Sequence, residues 1–142
     1  DQTDPKQTYA VADIAFMIKD LDNAEAAYKK ALSLSGSPER GNAGLAKVQQ
    51  ARATAADETR VANELSKKNQ FDGAISKYRN ATATNPTLAD ARFGLARALE
   101  KSKNPNSAAL LEAVQQYNYY LNLRTAADKE RAQAPTTTQP AR

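Results

Sequence analysis

Histidine, cysteine and tryptophan are all missing from these 142 residues, and methionine occurs once, at Met17. Without histidine or cysteine the chain lacks the side chain that titrates near neutrality, any thiol nucleophile, and nearly every set of transition-metal ligands. A disulfide framework is excluded too, though this leaves the compartment open. No run approaches the roughly 18 apolar residues that a membrane-crossing helix needs. Glycine is sparse, and Gly36, Gly41 and Gly44 lack the strand-to-helix setting and the following Lys-Ser/Thr of a phosphate loop. No metal or other cofactor is expected. Nor is catalysis, since carboxylate pairs such as Asp57-Glu58 fall on a stretch that reads as solvated helix.

What the chain has in quantity is alanine. Hydrophobic residues make up 41% and aromatic residues only 6%, so the expected core is thin and alanine-lined. A chain of this length forms one modest domain, burying roughly 68% of the surface its unfolded form exposes. The net charge is +4. Lys and Arg alternate with Asp and Glu along helical stretches instead of forming a basic block, which argues against a nucleic-acid partner.

Hydrophobic periodicity predicts six helices. Residues 1–6 read as a short disordered lead-in. Tyr9, Val11, Ala12, Ile14, Ala15, Phe16 and Ile18 make a first helix over 7–18. Asp22 with Glu25 resembles a capping arrangement for a second, whose stripe is Ala24, Tyr28, Ala31, Leu32 and Leu34. Gly36 suits the end of that helix, and Ser37-Pro38 suits the cap and first turn of the next. From Pro38 to Asn69 the simplest reading is one helix of about 30 residues, some 45 Å long, with a break near Thr54 as the alternative. Its middle, Gln49 to Arg60, holds no apolar side chain larger than alanine and reads as solvated and bridging. Phe71 to Thr84 is a fourth helix, closed by Asn85-Pro86. Thr87 caps a fifth running to about Lys103, and a sixth covers Ala108 to about Lys129. In the sixth, Leu110, Leu111, Val114, Tyr117, Tyr120 and Leu121 are expected to face inward. Residues 130–142 form a Thr/Pro-rich tail expected to be disordered.

Within this pattern the stretch from Val61 to Pro86 stands out. Val61, Ala62 and Leu65 return 34 residues later as Leu95, Ala96 and Leu99. Between them lie Phe71, Ala74, Tyr78, Ala81 and Pro86. These residues resemble the tetratricopeptide repeat, a hairpin of two helices in which alanines let the axes approach and an aromatic fills the wedge between hairpins. Weaker matches precede it (Val11-Ala12, Leu21, Ala24, Tyr28, Ala31) and follow it (Leu95-Ala96, Leu99, Leu110, Ala113, Tyr117). The resemblance implies an all-α, TPR-like helical hairpin array over 7–129, with hairpins at about 7–34, 55–84 and 88–124 and a shared long helix over 38–69. Leu45-Ala46 has the right spacing to pack on the first hairpin and Val61-Ala62 on the second. These pairs are 16 residues apart, about 160° around the axis, which predicts two lobes on nearly opposite faces of the long helix.

The resemblance also implies a function: a non-catalytic adaptor or scaffold that binds a protein or peptide in the groove lined by first helices. Projected onto this sequence, the groove takes Arg60, Asn63 and Lys67, then Phe93, Arg97 and Lys101, with Tyr9, Asp13 and Phe16 from the first hairpin. Arg60, Lys67, Arg97 and Lys101 make one wall basic, suited to an acidic or C-terminal peptide. An ordinary solvated charged face has the same composition. Thr59 and Gly94 occupy two positions of the family's chaperone-binding clamp, so that activity is not expected. Tyr28, Tyr78 and Tyr117 are read as core with hydroxyls reaching water, and Tyr119 as a surface residue. The Asn80-Ala81-Thr82 sequon falls mid-helix and reads as chance. A second reading is structural self-assembly as a homodimer, through the long helix and the Tyr119 face, with exchanged hairpins. The absent initiator Met, zero cysteine and Thr/Pro tail lean toward an exported, periplasmic or cell-envelope protein. A fragment of a larger cytoplasmic protein has the same features.

Overall fold

Short polar side chains set where most of the helices begin. Asp4, Asp20, Ser37 and Asn106 each accept a backbone N–H of the first turn, and proline follows directly at Pro5 and Pro38. The computed structural model describes residues 4–34 and 37–134, so the expectations for residues 1–3, Gly36 and most of the tail lie outside the described residues. Six helices follow: α1 (Pro5–Met17), α2 (Leu21–Ser33), α3 (Pro38–Lys67), α4 (Phe71–Thr84), α5 (Ala89–Lys101) and α6 (Ser107–Gln133). No strand occurs among the described residues. The cap of α2 is Asp20 and not Asp22, and α5 begins after Leu88 without help from the Thr87 hydroxyl. Proline and lysine of the supposed lead-in belong to α1, and residues 130–133 of the supposed tail are helical.

The helices pair as α1 with α2, the C-terminal half of α3 with α4, and α5 with α6, and successive hairpins touch through α2 on α3 and α4 on α5. After α1, α3 and α5 the chain reverses through one residue in the left-handed region: Lys19 (φ 65°), Asn69 (φ 59°) and Asn104 (φ 51°). The interior is alanine-lined as expected. Ala12, Ala24, Ala31, Ala62, Ala74, Ala81, Ala91 and Ala96 are fully buried, with Tyr28, Tyr78, Leu95 and Leu99 nearly so. Two clusters result, one around Tyr9, Tyr28 and Val48, the other around Tyr78, Leu95 and Ala113.

The long helix is unbroken over 30 residues, but it does not carry its lobes on opposite faces. Its buried positions are Gly41, Gly44, Val48, Ala55, Thr59 and Ala62. The intervals of 3, 4, 7, 4 and 3 residues keep all six within about 60° at 100° per residue. The 160° separation fails because the two halves meet different partners with the same side of the helix. Near Leu45 the helix meets the hairpin before it, whereas near Ala62 it meets α4, its partner within the same hairpin, and leaves Val61 only half-buried. Nor is its middle polar all round, since Ala55 and Thr59 are buried and the Thr59 hydroxyl donates to the Ala55 carbonyl at 2.7 Å. The outward side of this middle does bridge: the Arg52 guanidinium forks to Asp22 and Glu25 of α2.

The largest correction falls on α6. Leu110, Leu111, Val114 and Leu121 are exposed, at 43%, 61%, 54% and 55%. Ala113 is the one fully buried residue of α6 among those described, with Ala109, Tyr117 and Tyr120 half-buried beside it. The apolar stripe is real, but it points to the side where a further helix would pack.

Candidate functional site

The site is built on a contact the sequence reading overlooked. Two of the three repeat tyrosines lie against a glycine 16 residues later, Tyr28 on Gly44 and Tyr78 on Gly94. Only a residue without a Cβ lets the ring approach the next helix so closely. The hydroxyls are not left to water. Tyr28 donates to Asp13 at 2.6 Å, Tyr78 to Asn63, and Tyr117 to Glu100 at 2.8 Å, so each ring is tied to the first helix of its own hairpin. Arg40 also donates to Asp13 at 2.6 Å. The Tyr28 hydrogen bond, then Arg40, hold the Asp13 carboxyl below its ordinary range. Burial, then the bond to Asp13, pushes the Tyr28 phenol up to about 12, and burial with the Glu100 bond does the same for Tyr117.

Above each tyrosine–glycine contact a hollow opens. One, of about 330 Å³, is lined by Asp13, Phe16, Met17, Arg40 and Lys47. The other, of about 480 Å³, lies between α3, α4 and α5 and takes in Asn63, Lys67, Phe93, Arg97, Lys101 and Tyr120. A shift of 50 residues relates them, carrying Asp13 to Asn63, Met17 to Lys67 and Lys47 to Arg97. The same shift carries Arg40 to Asp90, so each hollow keeps one carboxylate, but the larger has three cations, Lys67, Arg97 and Lys101, against Arg40 and Lys47 in the smaller. Among the described residues Arg97 and Lys101 have no ion-pair partner, while Lys67 meets Glu64 at 3.3 Å. Asn63 accepts from Tyr78, which leaves its amide nitrogen free to donate into the hollow. Phe93 forms the apolar wall, its ring centroid 5.8 Å from Tyr117 and 5.1 Å from Tyr120.

Five of the six residues projected for the main groove therefore line one hollow. Arg60 stands outside it, exposed and paired with Asp57 at 2.9 Å. Of the first-hairpin trio, Asp13 and Phe16 line the smaller hollow, whereas Tyr9 is buried with its hydroxyl donating to the Ser37 carbonyl. Tyr119 is exposed, at 39%, with the Arg92 guanidinium 4.1 Å from its ring centroid. Burial of Ala81 and Thr82 agrees with the sequon's being chance.

Among the described residues no helix is long and apolar enough to cross a membrane, and no group of three or more acidic residues is placed to hold a metal ion. No curated protein matches the chain. Residues 62–103 match the family model for the TPR repeat, a stretch that takes in the end of α3, all of α4 and α5, and the lining of the larger hollow apart from Tyr120. TPR repeats generally mediate protein–protein interactions and serve as non-enzymatic scaffolds. The repeat that the alanine seams and wedge tyrosine suggested thus matches the TPR repeat over residues 62–103, within an all-α, TPR-like array of six helices among the described residues.

Proposed function

We propose that this chain is a non-catalytic adaptor that holds a peptide segment of a protein partner in the hollow between α3, α4 and α5. The observation that carries this reading is the convergence of Asn63, Lys67, Phe93, Arg97 and Lys101 around the Tyr78–Gly94 contact. Three cations and one free amide donor suit carboxylates and main-chain carbonyls, and the Phe93 ring suits an apolar side chain between them. The occupant is therefore an acidic peptide with an apolar anchor. The affinity expected is in the micromolar range, set by a few charge-assisted hydrogen bonds.

The test is fluorescence anisotropy with a labelled peptide of alternating Glu and Leu, against its Lys/Leu counterpart. Arg97→Glu with Lys101→Glu should weaken binding of the acidic peptide by tenfold or more, at about 1.4 kcal/mol per factor of ten. Arg60→Glu, outside the hollow, should leave it unchanged. Equal binding of both peptides, or indifference to the double substitution, rules the groove out.

A further inference from the structure

Both ends of the array present apolar side chains to solvent. On α6 these include Leu110, Val114 and Leu121, and on α1 and its C-cap they include Val11 (58% exposed), Ile14 (59%) and Ile18 (69%). Units of a helical array normally bury such faces against a neighbour, so two apolar faces left uncovered among the described residues ask for an explanation.

The chain's own internal interface says what fits each end. Ala74 and Ala113 occupy matching positions, 39 residues apart. The same shift carries Leu110, Val114, Tyr117 and Leu121 onto Phe71, Ile75, Tyr78 and Thr82 of α4. Those α4 residues are half-buried or buried, and it is on this side that α4 meets α5 through Tyr78 and Gly94. A shift of 84 residues relates α1 to α5, carrying Val11, Ile14 and Ile18 onto Leu95, Ala98 and Ser102. Leu95 and Ala98 are buried on the side of α5 that bears Gly94, facing α4. The exposed stripe of α6 is thus the half of an interface that accepts a first helix, and the exposed stripe of α1 is the half that a first helix offers.

We propose that copies of this chain stack end to end, the apolar face of α6 on one copy covering the apolar face of α1 on the next. The contact continues across molecules the α4–α5 packing already present within one. Transferring the Tyr78–Gly94 contact sets Tyr117 beside Ala10, whose Cβ the ring must clear, so the two helices stand further apart there than α4 and α5 do. The antiparallel register then brings Val114 to Ile14 and Leu110 to Ile18. Such a contact joins unlike surfaces, so each copy keeps one free end and the assembly grows beyond a dimer.

Sedimentation of the full chain across a wide range of concentration tests this. Wild type should rise from 15.4 kDa past twice that mass. Val114→Glu with Leu121→Glu blocks one end and Val11→Glu with Ile14→Glu blocks the other, and each variant alone should stay a monomer. Mixed in equal amounts they should form a dimer and nothing larger, because one intact end of each kind remains. Serine at the same four exposed positions gives the same readings should glutamate reduce helicity by circular dichroism. A wild type that stays monomeric at every concentration overturns the proposal and leaves these faces to another helix or another protein. Assembly that survives in either variant, by self-pairing of α6 or by exchange of hairpins, overturns it as well, as does a mixture that fails to dimerise.

Discussion

The ring of Tyr78 fills the space that a methyl group on Gly94 would need, since a Cβ built there stands 2.4 Å from the ring. Gly94→Ala therefore sets a helix-propensity gain of about 1 kcal/mol against an overpacking cost of about 1–3 kcal/mol. A net loss of roughly 1 kcal/mol is expected in urea denaturation, and replacing Tyr78 by Leu in the same chain should recover part of it. Gly73→Ala is the control. Its Cβ would meet only the end of the Leu65 side chain, at 3.3 Å, so that exposed helical position should gain about 0.5 kcal/mol.

Stability should fall toward both extremes of pH, for different hairpin contacts. Hydrogen bonds from Lys29 and Arg52 lower the Glu25 carboxyl from 4.5 to about 2, and Asp13 is lowered by Tyr28 and Arg40. Carboxyls depressed on folding stabilise above their unfolded value, so this contribution drains away as pH drops through 4.5 toward 2. Tyr28 and Tyr117 go the other way, raised from 10.0 to about 12. Their contribution is complete below pH 10 and is lost as pH climbs to 12. The check is a series of denaturation midpoints, in which Glu25→Gln should flatten the acid limb and Tyr28→Phe should flatten part of the alkaline one.

The turn after α1 uses lysine where the one after α3 uses asparagine, both with positive φ. Lysine tolerates that region poorly and asparagine well. Lys19→Gly should raise stability by about 0.5–1 kcal/mol, whereas Asn69→Gly should change it little. A Lys19→Gly protein that melts no higher than wild type would show that the Lys19 turn stores no such strain.

The alanine seams were legible because small residues recur at helical spacing with a 34-residue return, as with Ala62 and Ala96. Tyr78 was legible as a wedge for the same reason. Its glycine was not, because a close approach leaves no local pattern and shows only when tyrosine and glycine are read together across a turn. Most of the larger hollow followed once the first-helix positions were known, and Arg60 missed it because one turn of helix moves a long side chain past the rim. Leu110, Val114 and Leu121 were placed inside because periodicity reveals an apolar stripe without saying whether a neighbour exists to cover it. The supposed opposite lobes failed on a related point: equivalent positions on one helix need not meet equivalent partners.

Helix α3 gives its buried ridge to both cores with no joint between them. A rod common to two halves couples their fates. Loosening Val48 from the N-terminal hairpin tugs on the same row of residues that seats Ala62 against α4, so heat should dissolve both halves in one step, and strain applied at one end of the molecule should be felt at the other.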